Sequence, residues 1–202
     1  MIKAIVFDYG GVIKINSSDL IADICDYLKI NKEDWRREYF AVNHLFNVEN
    51  KSFEEVFLLV VSKFDNSEET KKYILNLLKD NKGKYYLNDE LISIIKDLKS
   101  RDYIIALLSN NSIGLREKLT EEGITDLFDQ IIVSAEVGYQ KPQPEIFQIL
   151  FNKLGLMPEE VVFIDDSTRS LEGADKIGYV PILYKNNEIF KSELSIILKD
   201  EI

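Results

Sequence analysis

The sequence predicts an α/β fold in which a parallel sheet is flanked by helices and an α-helical cap is inserted into the chain. After residue 83, short apolar runs alternate with amphipathic helical patterns, which is typical of a parallel sheet with helical crossovers. Residues 18–82 show helical periodicity without an intervening strand pattern. A short, largely apolar run at residues 2–7 ends at Asp8 and predicts a strand buried on both faces.

The order of the elements follows from the same patterns. The predicted helices of the insert cover residues 19–28, 32–46, 53–64 and 67–79, and Ser52 and Ser67 are predicted to cap the last two. Further strands are predicted at residues 103–108, 130–133, 161–164 and 179–183. Further helices are predicted at residues 89–99, 113–122, 144–154, 170–177 and 188–198. We therefore predict an α/β core domain at residues 1–15 and 84–202, with the helical cap at residues 16–83.

Composition limits the partners that the protein can have. The chain has 202 residues, of which 46% are hydrophobic, enough for one α/β domain with an insert. Its formal net charge of −10 argues against nucleic acid as a partner, because nucleic acid phosphates would be repelled. No apolar run approaches the roughly 20 residues that cross a bilayer. The amino end leads directly into a strand, so we expect a cytoplasmic protein without a membrane partner.

Polar side chains stand at the ends of several predicted strands or in the loops that follow them. They are Asp8, Ser109 with Asn110, Lys141, and Asp165 with Asp166. The carboxyl ends of parallel strands share one edge of the sheet, so we expect these side chains to converge. Three converging carboxylates repel one another unless a cation lies between them, and a ligand set made only of oxygens favours Mg²⁺ over zinc.

The same group of side chains suits a phosphate ligand. A lysine, a hydroxyl and an amide facing the cation would supply positive charge and hydrogen-bond donors. A carboxylate beside them can act as a nucleophile and form an aspartyl-phosphate intermediate. The purely structural alternatives are that Lys141 is a solvated loop lysine and that the Asp165–Asp166 pair caps a helix.

These motifs occur in the order found in the haloacid dehalogenase-like hydrolase superfamily, which the chain resembles over nearly its whole length. The matching segments are FDYGGV at residues 7–12, LSNN at 108–111, KPQPEIF at 141–147 and FIDDS at 163–167. The resemblance implies a Rossmann-like core, a small helical cap after the first strand, and a phosphatase-type hydrolase that uses Mg²⁺.

The resemblance also implies a role for each matching residue. Asp8 would be the nucleophile, and Lys141 would steady both Asp8 and the phosphate. Ser109, Asn110 and Lys141 would bind the phosphoryl oxygens. The implied metal ligands are Asp8, the main-chain carbonyl of Gly10, Asp165 and Asp166, with Asp166 favoured as the direct ligand of the last pair.

One position departs from the pattern of the family. Its phosphatases usually carry a second Asp two residues after the nucleophile, where this chain has Gly10. That Asp protonates the leaving group and then activates water, and such acid–base help is worth about 10²–10⁴-fold. We therefore expect slow turnover, with good leaving groups such as a sugar 1-phosphate or an acyl phosphate affected least.

Three functions stay open on the sequence alone. The first is a Mg²⁺-dependent phosphatase for a small phosphorylated metabolite, a sugar phosphate being one candidate. The second is a non-catalytic phosphate-binding or regulatory protein, which the glycine at position 10 suggests. The third is a 2-haloacid dehalogenase, against which the Asp165–Asp166 pair speaks, because that reaction needs no metal. Cap aromatics that could line a substrate pocket are Tyr39, Phe40, Phe46 and Phe57.

Overall fold

The computed structural model describes residues 1–200 and confirms the predicted α/β class. Its strands are β1 (Ala4–Phe7), β2 (Lys14–Asn16), β3 (Tyr85–Leu87), β4 (Ile104–Ser109), β5 (Gln130–Val133), β6 (Val161–Asp165) and β7 (Val180–Leu183). Five of them form one parallel sheet in the order β5-β4-β1-β6-β7. The first strand is therefore the central one, and β4 and β6 lie on either side of it.

The helices surround this sheet and fill the insert. Those of the insert are α1 (Leu20–Leu28), α2 (Lys32–Val42), α3 (His44–Asn47), α4 (Phe53–Val61) and α5 (Glu68–Asn81). The others are α6 (Asp89–Ser100), α7 (Leu115–Glu121), α8 (Ser134–Val137), α9 (Pro144–Leu154), α10 (Ala174–Ile177) and α11 (Asn187–Leu198).

Both faces of the sheet are buried, which explains why β1 is apolar throughout. Ile5 and Phe7 point into a core formed with residues of α6 and α11, whereas Ala4 and Val6 point into a core formed with residues of α9. All four residues of β1 are fully buried. Burial on two faces removes the polar alternation of a half-exposed strand and fixes the position at which the strand ends, directly before Asp8.

The five helices of the insert have a hydrophobic core of their own. Trp35 is buried there against Phe57, with ring centroids 5.4 Å apart. The predicted N-caps are confirmed: Ser52 forms a capping box with Glu55, and the Ser67 side chain accepts a hydrogen bond from the Thr70 N–H. A separate core is what a cap subdomain needs, and the boundaries proposed at residues 15/16 and 83/84 stay a prediction.

Two predicted elements differ in the structure. The helix predicted at residues 170–177 begins only at Ala174, because Gly173 has φ of +82° and cannot belong to a right-handed helix. Residues 32–46 form two helices, α2 and α3, on either side of Asn43. The sequence patterns did not predict the antiparallel ribbon of β2 and β3. These three-residue strands lie at the two ends of the insert in the chain and pair with each other.

No helix within residues 1–200 is both long enough and apolar enough to span a lipid bilayer. The predicted cytoplasmic location stays a prediction.

Candidate active site

Three carboxylates meet at the carboxyl edge of the sheet. Asp8 directly follows the central strand, and its N–H donates a hydrogen bond to the carbonyl of Ile164 on β6 at 2.9 Å. Asp165 is the last residue of β6, and Asp166 follows it. One oxygen from each carboxylate lies within 4.8 Å of the others. The pairing of β1 with β6 thus brings together residues that are more than 150 positions apart in the chain.

Lys141 is the cation that lies among these carboxylates. Its Nζ donates hydrogen bonds to Asp8 Oδ1 at 2.8 Å, to Asp165 Oδ2 at 2.6 Å and to the carbonyl of Leu108 at 3.0 Å. The side chain is 1% exposed, so the ammonium has exchanged water for three protein acceptors. The Lys141–Pro142 peptide bond is cis. The position of Lys141 excludes the alternative of a solvated loop lysine.

Burial and mutual repulsion set the charge state of this cluster. Burial raises the pKa of Asp8 to about 6, with Lys141 opposing the rise and Asp165 adding to it. Desolvation raises the pKa of Asp166 to about 7, and the charges of Asp8 and Asp165 add to that effect. Burial disfavours charged Lys141, but the two carboxylates outweigh it and hold its pKa above the usual range. One ammonium therefore does not neutralise three carboxylates, which leaves charge for a further cation.

The oxygens of the three carboxylates are not equally available to that cation. Asp165 Oδ2 accepts from Lys141, and Asp165 Oδ1 accepts from the Ser167 N–H at 2.8 Å. Both oxygens of Asp165 are therefore engaged, whereas Asp166 is exposed at the edge of the site. An all-oxygen set with excess negative charge fits Mg²⁺. This pattern favours Asp8 and Asp166 as the direct carboxylate ligands, with Asp165 holding Lys141.

The two glycines after Asp8 have different environments. Gly11 has φ of +79°, and a Cβ built on it would lie 2.3 Å from Asp166 Oδ2. Asp166 can therefore occupy its place only because residue 11 has no side chain. A Cβ built on Gly10 meets nothing within 4 Å. Position 10 therefore has room for a side chain, although the chain carries glycine there instead of the family's second Asp.

This difference predicts opposite outcomes for two alanine substitutions. Gly11→Ala is expected to displace the Asp166 carboxylate and to weaken Mg²⁺ binding by about 10–100-fold, as loss of a supporting interaction does in other metal sites. Gly10→Ala should leave the affinity within about twofold, because the added methyl meets no atom. Titration with Mg²⁺ by calorimetry measures both.

A third variant controls for backbone strain. Gly123 also has a left-handed φ, +69°, but a Cβ there meets nothing within 4 Å. Gly123→Ala should lose stability as Gly11→Ala does, and keep its Mg²⁺ affinity. Equal affinities for Gly11→Ala and Gly123→Ala would contradict the role given to Gly11.

Asn110 binds the main chain of Lys141. Its Nδ2 donates to the Lys141 carbonyl at 3.0 Å, and its Oδ1 accepts from the Lys141 N–H at 2.7 Å. The amide therefore holds the loop from which Lys141 reaches the carboxylates. Ser109, the last residue of β4, is buried at the same edge of the sheet. Binding of phosphoryl oxygens by these two residues stays a prediction.

A cavity of about 550 Å³ lies between this edge of the sheet and the inserted helices. On the sheet side it is lined by Gly10, Gly11 and Asn110, and on the insert side by Tyr39 and Phe46. Of the other predicted aromatics, Phe57 lines a neighbouring pocket within the insert, and the Phe40 ring lies 4.3 Å from the guanidinium carbon of Arg169. The insert thus contributes aromatic surface opposite the loops that follow β1 and β4.

Sequence reasoning missed two polar features that adjoin this cavity. The Tyr9 hydroxyl donates to the Glu122 carboxylate, with distances of 2.8 and 3.0 Å to its two oxygens, and Lys14 pairs with the same carboxylate at 2.7 Å. Lys118 lies over the Tyr9 ring, with Nζ 5.3 Å from the centroid. No local motif marks these residues, because each contact joins segments about 110 positions apart.

The sheet order, the inserted helices and the cluster of Asp8, Lys141, Asp165 and Asp166 define a hydrolytic enzyme with a Rossmann-like core and an aspartate at the tip of its central strand. The chain belongs to the haloacid dehalogenase-like hydrolase family, whose sequence model matches residues 5–183. The predicted family and the predicted hydrolase class are confirmed.

The proteins to which the chain is similar include a phosphatase and a dehalogenase. D-ribitol-5-phosphate phosphatase of Bacteroides thetaiotaomicron is 25% identical, in an alignment that covers 98% of this chain and 99% of that protein. (S)-2-haloacid dehalogenase 4A of Burkholderia cepacia is 33% identical over 50% of this chain and 49% of its own length. A wild-type family enzyme of Bacteroides thetaiotaomicron, solved with magnesium and inorganic phosphate, has a TM-score of 0.61 at 20% identity, covering 92% of this chain and 95% of that one.

Proposed function

We propose that the protein is a Mg²⁺-dependent phosphatase that hydrolyses a small phosphorylated metabolite through an aspartyl-phosphate on Asp8. The observation that carries this proposal is the convergence of Asp8, Asp165 and Asp166 around Lys141 at the edge of the sheet. The full-length relative that acts on D-ribitol 5-phosphate and the structural neighbour with bound magnesium and phosphate support the same activity.

The proposed reaction uses the geometry of Asp8 directly. Its carboxylate attacks phosphorus, the bond to the leaving-group oxygen breaks, and water then hydrolyses the aspartyl-phosphate to free Asp8 and inorganic phosphate. The hydrogen bond from Lys141 Nζ to Asp8 Oδ1 fixes the orientation of the Asp8 carboxylate. The same ammonium supplies positive charge beside the phosphoryl group. Ser109 and the main chain after it provide donors for the phosphoryl oxygens. Bound Mg²⁺ would be held by Asp8, Asp166 and the Gly10 carbonyl and would neutralise phosphoryl charge.

The cavity favours a polar substrate of modest size. Its volume of about 550 Å³ suits a sugar or polyol phosphate. Amide side chains of Asn16, Asn47 and Asn81 line it together with the aromatic rings of Tyr39 and Phe53. Amides can bind hydroxyl groups, and rings can cover the apolar face of a sugar. We therefore propose a sugar phosphate or polyol phosphate as the substrate class.

A panel of phosphorylated metabolites tests the proposal. Purified protein is assayed for phosphate release from sugar phosphates, polyol phosphates, acyl phosphates and phosphoserine, with Mg²⁺ and with a chelator. We expect release that requires Mg²⁺ and is fastest with a sugar or polyol phosphate. Binding of phosphate ligands without release from any substrate would overturn the proposal in favour of a non-catalytic binding protein.

The similarity to a haloacid dehalogenase gives a second candidate, and the same protein can be tested for it. A dehalogenase would release halide from a 2-haloacid, and a chelator would leave the rate unchanged. We expect no halide release, because Asp166 extends the carboxylate cluster in a way that only a metal-dependent reaction needs. Chelator-resistant halide release would replace the phosphatase proposal.

The raised pKa values predict how Mg²⁺ affects stability at different pH values. Without metal, the folded protein binds more protons than the unfolded chain between the ordinary pKa of 3.8 and the folded values of about 6 for Asp8 and about 7 for Asp166. Stability without metal should therefore fall as pH rises through this range. Mg²⁺ binds the deprotonated carboxylates and should offset the loss. The rise in Tm on adding Mg²⁺ should be larger at about pH 8 than at about pH 5.5.

Thermal unfolding with Mg²⁺ and with a chelator at the two pH values measures this effect. Asp166→Asn is the control and should lose most of the rise in Tm at either pH. A rise that is the same at both pH values, or that is unchanged in Asp166→Asn, would contradict the assignment of these carboxylates to the metal.

A further inference from the structure

A phosphatase with glycine at position 10 needs another source for the proton that its leaving group takes up. Gly10 lines the cavity, and a Cβ there would point into open space. An alkoxide leaving group is unstable without a proton donor, so the side chains that line this cavity are candidate donors if alkyl phosphates are substrates.

Most of the candidate donors that line the cavity are already engaged. The Tyr9 hydroxyl donates to Glu122, and burial together with that carboxylate raises its pKa well above the usual range. The pKa of Tyr39 is raised to about 12 by burial. Glu54 pairs with Lys82, and that hydrogen bond holds the pKa of Glu54 below its usual range. None of these groups is suited to give up a proton near neutral pH.

The lysines that line the cavity differ in their partners. Lys14 pairs with Glu122 at 2.7 Å, and Lys82 pairs with Glu54 at 2.8 Å. Lys118 forms no ion pair with any carboxylate of residues 1–200, whereas Glu122 pairs with Lys14 and accepts a hydrogen bond from Tyr9. Its ammonium lies instead over the ring of Tyr9, which is the residue between Asp8 and Gly10 in the chain.

The charges around Lys118 favour release of its proton. Desolvation is the largest influence and lowers its pKa, Glu122 opposes this effect, and Lys14 lowers the pKa further. Across the cavity, the insert presents Glu54 and Lys82, which neutralise each other. An ammonium with a lowered pKa is a better acid than an ordinary lysine, and its deprotonated form is a usable base.

We propose that Lys118 is the catalytic residue that protonates the leaving group, in place of the Asp that the chain lacks at position 10; this inference rests on the proposed phosphatase function. As Asp8 forms its bond to phosphorus and the phosphorus–oxygen bond of the ester breaks, the ammonium of Lys118 gives a proton to the departing oxygen, which leaves as an alcohol. The neutral amine then takes a proton from the water that attacks the aspartyl-phosphate. Inorganic phosphate and free Asp8 result, and Lys118 is an ammonium again.

The dependence of the rate on the leaving group tests this role. We compare wild type and Lys118→Gln on 4-nitrophenyl phosphate, whose leaving group needs no proton, and on the best alkyl phosphate of the panel. Lys118→Gln should lower kcat on the alkyl phosphate by about 10²-fold and on 4-nitrophenyl phosphate by less than about threefold. In the wild type, kcat on the alkyl phosphate should fall at high pH as Lys118 loses its proton, and this limb should be absent in Lys118→Gln.

Two further variants separate this role from a general effect of charge. Lys82→Gln removes another lysine of the same cavity and should not discriminate between the two substrates. Gly10→Asp restores the family's usual acid, so adding Lys118→Gln to it should have little further effect on the alkyl phosphate. Equal losses on both substrates in Lys118→Gln, or a full loss that persists in the Gly10→Asp background, would overturn the role of Lys118 and leave the phosphatase proposal intact. No hydrolysis of either substrate by the wild type would overturn both proposals.

Discussion

Replacing Asp8 by Asn is expected to reduce hydrolysis of 4-nitrophenyl phosphate by at least about 10³-fold, because the variant lacks the oxygen nucleophile. An amide in the same place cannot form the acyl phosphate, and Lys141 would face an amide instead of a carboxylate at 2.8 Å. The substitution leaves Lys141 paired with Asp165 at 2.6 Å, so the fold should be retained. Loss of a buried carboxylate with a raised pKa should not destabilise the protein at neutral pH.

Steady-state rates and mass spectrometry of acid-quenched enzyme measure this prediction. Wild type should carry a phosphoryl group on the peptide that contains Asp8, and Asp8→Asn should not. Asp26→Asn, at an exposed position of α1, is the matched control and should keep full activity. Activity that persists in Asp8→Asn would show that another group attacks the substrate.

Replacing Lys141 by Met is expected to have the largest effect on stability. The substitution leaves Asp8 and Asp165 buried at the same edge without their shared cation. Removing one partner from such a buried ion pair costs about 3–5 kcal/mol of the free energy of unfolding. The remaining carboxyls can avoid charge by binding protons, so the loss should be smaller at about pH 5 than at about pH 8.

Urea unfolding in the presence of a chelator measures the loss in Lys141→Met. Lys3→Met is the control, since Lys3 pairs with Glu160 at 2.7 Å but is 56% exposed, and it should cost less than about 1 kcal/mol. Activity of Lys141→Met should also fall, because the charge beside the nucleophile is gone. Similar losses of stability in the two variants would mean that the buried network contributes little to the fold.

The sequence alone predicts the ends of strands and the starts of helices wherever residues close in the chain decide them. The strands β1, β4 and β6 end within one residue of the predicted positions, because the apolar run that a strand buried on both faces needs gives way there to polar residues. Helix starts at Ser52 and Ser67 were also predictable, since a capping side chain acts within three residues of its own position.

Local patterns failed where a contact depends on distant segments. The β2–β3 ribbon has three residues in each strand, too few for a recognisable alternation, and its strands pair only because the insert returns to its starting point. The helix prediction for residues 170–177 was wrong in its first half, where Gly173 adopts a left-handed conformation in the turns that follow Asp166. Short strands and glycine-rich turns take their structure from what packs around them.

By itself, the sequence determined the fold class and the residues that end the strands at the candidate site, because burial and hydrogen bonding within each segment are encoded locally. Only the tertiary structure decided how those residues are connected: the Asn110 amide holds the main chain of Lys141, Gly11 makes room for Asp166, and Lys118 lies over Tyr9. Each of these contacts joins segments that are far apart in the chain. Their geometry follows from the packing of the whole sheet and its helices, which no single stretch of sequence specifies.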